Sequence, residues 1–368
     1  MNTMFLSKHA QLSAFFRSRL PTYSSINIGI SGWTQVHHLL ESSTRKTVIL
    51  PAFICSHVSF MVRGIDKRLI HVDAAPGSLH MNVDILRNHL DNLDERDTVL
   101  LFDHTFGCPF LGLAEIRSQY PDVLIIEDCV RALEAVLAGG LNPVGDHVLF
   151  SMYKTVPQNS HGAILLSKDA ASIPGGGAVR KDNWRNRLSG LSFARYAYDI
   201  VKSRRPDYQR PDHNDPRLVP WKPELGVPSI GSTNRFLRYL DAVPGRIGPW
   251  REAIAEIESI CAAHDELTAL GEVLPMQQKS LQFVSIVLAP GLSKFTLLAR
   301  LHRQRIFLLG TWDQVPAFFT RLRGSFPKGY EESVFLADYV IHVPVSQFNT
   351  SRHRQRLARA LKAALVDL

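Results

Sequence analysis

Two residues stand where chemistry could be done. Asp128 closes the apolar run VLIIED (123–128), and Lys154 follows the run HVLFSM (147–152), with Ser151 three positions before it. If both runs are strands of one parallel sheet, the carboxylate and the amine share its carboxyl rim, where ligands of such sheets bind. An amine and an acid held this way suit pyridoxal phosphate. The amine forms a Schiff base with the aldehyde, and the carboxylate keeps the pyridine nitrogen protonated, so that the ring accepts electrons from a substrate carbanion. A single Asp or Lys after a strand is ordinarily a surface residue, so the pair needs support from its surroundings.

Other positions could complete such a site. In SGWTQVHHLL, Gly32 precedes a helical pattern beginning near Trp33. The free N–H groups of a helix start attract an anion, and glycine lets the backbone approach it closely, so Gly32 and Trp33 are phosphate candidates through their amides. An ordinary capped helix start reads the same way. His104 follows the run VLLFDHT (99–105) and could stack on a ring, move a proton or simply pack. Tyr153 is placed to pack beside Lys154. Trp312 and Asp313 could border a substrate pocket, although a tryptophan in an apolar run is ordinarily structural.

The elements that must position these residues are legible as alternating patterns. Apolar runs at 47–53, 68–73, 99–105, 123–128, 147–152 and 162–167 predict strands. Helical patterns at 56–63, 82–93 and 112–120 separate the early ones, which implies βαβ crossovers and a mostly parallel sheet with helices on both faces. The pattern breaks from Pro174: a glycine run at 175–177, a basic stretch from Arg180 to Lys222 and a proline-punctuated segment to Pro228 predict a long surface connection. A helix at 249–270, strands at 283–290, 305–310 and 339–345, and helices at 293–304 and 351–366 then predict a small α+β unit. The chain therefore divides into a large α/β domain, 1–230, and a smaller C-terminal domain, 231–368.

The chain has 368 residues, 45% hydrophobic and 21% charged, which suffices for a sizeable core without disulfide or metal staples. Cys55, Cys108, Cys129 and Cys261 are far apart, and no His/Cys set has zinc-ligand spacing, so free thiols and no metal are expected. No stretch approaches the roughly 20 apolar residues of a spanning helix, and the N-terminus lacks a signal-peptide core. A cytoplasmic protein is the expectation. The net charge of +8 suits an anionic small-molecule substrate, and no nucleic-acid-binding motif accompanies it.

Taken in order, SGW (31–33), VILPAF (48–53), LIHVD (69–73), DHTFG (103–107), VLIIEDC (123–129), FSMYK…HGAILLS (150–167), GSTNRFL (231–237) and YVIHVPV (339–345) resemble the sugar aminotransferases of the DegT/DnrJ/EryC1/StrS family, within the fold-type-I pyridoxal-phosphate enzymes. The resemblance implies that Asp128 bonds the ring nitrogen, that Lys154 carries the cofactor, that Ser151, Gly32 and Trp33 touch its phosphate, and that Asn234 reaches the phosphate in a partner subunit. It thus implies a homodimer. Three departures stand out. Arg131 replaces the family's glutamine or histidine, bringing a fixed charge that could hold the ring oxygen or a substrate anion. Cys55 falls at the ring-stacking aromatic, leaving Phe53 or His104 to stack. The lysine segment has S-x-x-K spacing, two residues shorter than the common form.

The function implied is transfer of an amino group from glutamate or glutamine to a nucleotide-linked keto-sugar. Arg131 and the shortened lysine segment leave open a dehydratase, lyase or aldol-type reaction with the same cofactor. A degenerate, non-catalytic family member is the third alternative.

Overall fold

The computed structural model describes residues 3–156, 159, 161–169, 226–271, 274–310 and 328–366. The glycine run at 175–177, the basic stretch 180–222, Trp312 and Asp313 lie outside them. Helix α1 (Thr3–Arg19) leads into strand β1 (Ser25–Gly29), then α2 (Gly32–Ser42), β2 (Thr47–Pro51), α3 (Ser56–Arg63), β3 (Arg68–Val72), α4 (Val83–Asp91) and β4 (Thr98–Asp103). There follow α5 (Leu113–Gln119), β5 (Leu124–Asp128), α6 (Leu133–Leu137), β6 (His147–Ser151), the single turn α7 (Met152–Thr155) and β7 (Ala163–Ser167).

These seven strands form one sheet in the order β1-β7-β6-β5-β4-β2-β3. The ladders joining β3, β2, β4, β5 and β6 are parallel, and β7 runs antiparallel to both β6 and β1. The sheet is therefore mostly parallel, as the apolar runs predict, because strands covered on both faces need no polar alternation.

Side-chain parity sorts each strand between two helical layers. On one face Leu101, Ile126, Leu149 and Leu165 pack under Val36 and Leu40 of α2 and Val58 and Val62 of α3. On the other, Leu100, Phe102 and Ile125 meet α4 and α5, while Val148, Phe150 and Ile164 meet α1, α6 and the start of a later helix.

That later helix, α8 (Ile230–Ala262), is followed by β8 (Leu267–Ala269), β9 (Phe283–Leu288), α9 (Lys294–Arg303), α10 (Glu331–Tyr339), β10 (Val340–Pro344) and α11 (Ser351–Leu365). The second sheet is antiparallel in the order β10-β9-β8. Phe236 and Leu240 of α8 lie in the core of the large sheet, and Ile254, Ile257 and Cys261 in that of the small one, so one helix spans both.

Three expectations are corrected. The helix foreseen at 249–270 begins at Ile230 and runs through Pro244 and Pro249. Each proline removes one intrahelical donor, and burial of Val243 and Trp250 around them holds the helix together. The strand foreseen at 305–310 is reduced to a single bridge between Leu309 and His342, and the short β8 is the small sheet's third strand. Strand β1 was not foreseen, because SINIG is only partly buried and carries no apolar run.

Leu149 is fully enclosed on the α2–α3 face. Leu149→Ala is expected to lower the unfolding free energy by about 2–5 kcal/mol, read from urea denaturation.

Candidate active site

The register of β5 decides which side chains meet. Asp103 pairs with Asp128 across the β4–β5 ladder, and Asp128 pairs with Leu149 of β6. In-register neighbours leave a sheet on the same face, so Asp103, Asp128 and, two residues beyond Leu149, Ser151 all stand at the carboxyl rim of the α2–α3 face. Both acids are buried. The Asp128 Oδ1 accepts the Val130 N–H at 2.9 Å. Ser151 caps α7, its hydroxyl accepting the Lys154 N–H at 3.4 Å, which sets the half-buried Lys154 just above the rim.

Burial pushes the Asp128 carboxyl up to about 6, against the Val130 N–H and the nearby charges of Lys154 and Arg131, which pull it down. Lys154 is thus near enough to Asp128 for its charge to be felt there, and the sequence-predicted pair is brought together. Arg131 joins it from the turn after β5. Its guanidinium lies over the rings of Phe283, 4.8 Å to the centroid, and Phe106, 5.5 Å.

Helix α2 begins at the same rim. Ser31 is its N-cap, accepting from Thr34 N–H, which leaves the Gly32 and Trp33 amides without that partner. The strand ends hold this start in place, since Gly162 N–H donates to the Ile30 carbonyl at 2.8 Å and Met152 N–H to that of Gly162 at 2.8 Å. A Cβ on Gly32 would lie 3.0 Å from the Leu149 side chain. Glycine is therefore what lets α2 start this close to the end of β6.

His104 goes elsewhere. Its Nδ1 accepts the Phe110 N–H at 3.1 Å, so Nε2 carries the proton it shares with Glu127 Oε1 at 2.7 Å. Glu127 also accepts from Val144 and Gly145 N–H, both at 2.8 Å. By parity Glu127 is on the face opposite Asp128, and the histidine lies with it. Cys129 completes a buried trio whose ligand atoms lie within 4.8 Å of one another. Burial raises the Cys129 thiol well above its ordinary range, and its Sγ lies against Glu127, so the trio forms a hydrogen-bonded prop under β5.

Phe53 is buried among Phe106, Phe283, Leu336 and Val340, between the two sheets. Cys55 packs against the α2–α3 layer, near the rim. Asn234 is half-buried in the first turns of α8, and among the described residues its side chain makes no hydrogen bond.

Two features escaped sequence reasoning. Asp103 is one; its signal is that LLFD ends as IIED does, and only strand register turns that likeness into adjacency. The other is the aromatic wall under Arg131. Phe106 takes φ +53 and Gly107 φ +80, where a Cβ on Gly107 would lie 2.2 Å from the Arg131 carbonyl. This turn places the Phe106 ring 3.5 Å from that of His342, and Ser280 Oγ donates to the Phe106 carbonyl at 2.7 Å.

No protein-family model and no curated protein matches the chain. Solved structures match its fold. A DegT/DnrJ/EryC1/StrS aminotransferase from Brucella abortus aligns over 99% of this chain and 90% of its own, with TM-score 0.67 and 14% identity. Sugar aminotransferase CalS13 from Micromonospora echinospora aligns over 97% and 91%, with TM-score 0.65 and 16% identity. The E. coli GDP-4-keto-6-deoxy-D-mannose-3-dehydratase, with bound hydrated PLP, aligns over 98% and 92%, with TM-score 0.67 and 12% identity. The chain thus has the fold-type-I architecture that its sequence resemblance implies.

A carboxyl whose folded pKa is raised binds its proton more tightly in the native state than in the unfolded chain. The stability it contributes is present below about pH 4 and is lost as pH rises through about 6. Asp128→Asn is therefore expected to stabilise the cofactor-free protein at pH 7–8 by on the order of 1–3 kcal/mol and to leave it nearly unchanged at pH 4, measured by urea denaturation at both values.

Proposed function

We propose that the chain is a pyridoxal-phosphate enzyme acting on a sugar, and that it transfers an amino group from glutamate or glutamine to a nucleotide-linked keto-sugar. The observation carrying this is the meeting of Asp128 and Lys154 at one rim of a fold-type-I sheet, beside the start of α2. The donor set fits the group: a buried acid for a cationic ring nitrogen, an amine for an aldehyde, and backbone amides with a serine for a phosphate. The solved structures of like fold support it, since they include aminotransferases and a nucleotide-sugar dehydratase with bound PLP.

When bound, pyridoxal phosphate supplies a reactive aldehyde and an electron-accepting ring. Asp128 would hold the protonated ring nitrogen, with the Val130 N–H keeping Oδ1 oriented. Ser151 Oγ and the amides of Gly32 and Trp33 bind the phosphate, and a fixed phosphate fixes the ring. Lys154 Nζ would hold the cofactor and, once released, would be the base that moves a proton at the substrate's α-carbon. Arg131 offers a permanent cation to the ring oxygen or to a substrate anion.

In this reading residues 1–230 supply the cofactor site and residues 231–368 cover it. The protein acts as a homodimer, with Asn234 reaching the partner's cofactor phosphate. Dehydration of a nucleotide-linked sugar is the second reading, favoured by Arg131 at a position that would otherwise be neutral or titratable.

Glutamate added to the cofactor-loaded protein is expected to convert it stoichiometrically to the pyridoxamine form, seen as loss of the yellow absorbance. Turnover of a keto-sugar without any such conversion would select dehydration instead. Lys154→Ala is expected to lower kcat by about 10²–10⁴-fold while the protein still binds the cofactor phosphate, checked by steady-state kinetics and equilibrium dialysis.

A further inference from the structure

Beside Asp128 stands a second acid that the scheme above does not use. Asp103 ends β4 as Asp128 ends β5, and the two are register partners. Their side chains leave the same face from strands about 4.8 Å apart. Both are more than nine-tenths buried, Asp103 with 6% and Asp128 with 3% of its surface exposed. The Thr105 hydroxyl donates to Asp103 Oδ2 at 3.1 Å, and Val130 N–H to Asp128 Oδ1 at 2.9 Å. Among the described residues, no hydrogen bond reaches the other oxygen of either carboxyl.

Two like charges this close in a dry site do not both ionise at neutral pH. The surroundings decide which one keeps the proton. Lys154 from α7 and Arg131 from the turn after β5 act on both acids. Cys129 beside them stays a neutral thiol. What differs is the donor on each carboxyl: Asp128 has a backbone N–H held by the strand end, whereas Asp103 has an alcohol that can rotate. Burial, followed by the Asp128 charge, raises Asp103 well above the ordinary carboxyl range, and Asp128 rises less.

Resting on the cofactor reading of Asp128, we propose that Asp103 is a positioning residue: it remains a neutral acid at physiological pH and donates its O–H to the Asp128 carboxylate. The pair then carries one negative charge, matching the single positive charge of a protonated ring nitrogen. Asp128 is gripped from two sides, by Val130 N–H and by the Asp103 hydroxyl. Replacing that donor with an amide keeps the grip, and replacing it with an apolar group of similar size removes it.

Infrared difference spectroscopy on the full-length protein reads the proton directly, with ¹³C-carboxyl aspartate labelling to separate it from Glu134, a buried acid of α6 whose carboxyl burial also raises. The wild-type protein at pH 7 is expected to show a protonated aspartate band, and Asp103→Asn to lack it. Absence of the band from the wild type, or its persistence in Asp103→Asn, overturns the proposal, and the wild-type spectrum alone suffices if the variant does not fold. Pyridoxal phosphate affinity, followed by visible absorbance, is expected to change by less than about threefold in Asp103→Asn and to fall at least about tenfold in Asp103→Leu. Equal losses in both variants would overturn it. A wild-type protein that shows the band yet binds no pyridoxal phosphate supports the shared proton and counts against the functional reading alone.

Discussion

The register of β5 between β4 and β6 is the constraint on which the rest of the site depends. One strand presents two adjacent carboxylates, Glu127 and Asp128, and the period of two sends them to opposite faces. Glu127 is consumed by four donors, the Val144 and Gly145 amides, His104 and the Cys129 thiol, and so anchors the strand from beneath. Asp128 is left at the rim with the Val130 N–H as its carboxyl's one hydrogen-bond donor among the described residues. A slip of one residue would exchange the two, putting the anchored acid at the rim and the free one in the core. The hydrogen-bonded prop under β5 is thus what keeps the acid of the site where Lys154, Arg131 and the start of α2 can meet it.

This arrangement stores unfavourable energy by design of its surroundings. Two buried acids side by side are costly to ionise without a bound cation. In the proposed function a protonated ring held by Asp128 would relieve that cost, so that cofactor affinity and cofactor-free instability would have the same origin. The aromatic wall of Phe106, Phe283 and His342 contributes the other part of the environment. It holds the Arg131 guanidinium over apolar rings, where the charge is directed rather than dissipated into water. The wall draws on both sheets, with Phe106 following β4, Phe283 in β9 and His342 in β10, so the small sheet is part of the site.

Much of this was legible before any coordinates. Buried parallel strands are apolar runs, and the polar residue that ends each run marks the rim; LIIED and the segment leading to Ser151 and Lys154 follow that rule. What sequence could not supply was parity. His104 follows its strand as conspicuously as Asp103 ends it, and only the ladder shows that the histidine turns to the Glu127 face. Strand β1 was invisible because an edge strand only partly buried carries no apolar run. The start of α8 was hidden by Pro244 and Pro249, whose local preference is overridden by the burial of Val243 and Trp250.

The claim at the centre is that one amine and one acid at this rim grip opposite parts of the same ring. Borohydride treatment of the pyridoxal-phosphate-loaded protein, followed by peptide mapping, tests it most directly. The account predicts bleaching of the visible band and a single reduced adduct on Lys154, with the adduct's formation sharply weakened in Asp128→Ala. An adduct on any other lysine, or one formed equally well without Asp128, would contradict it.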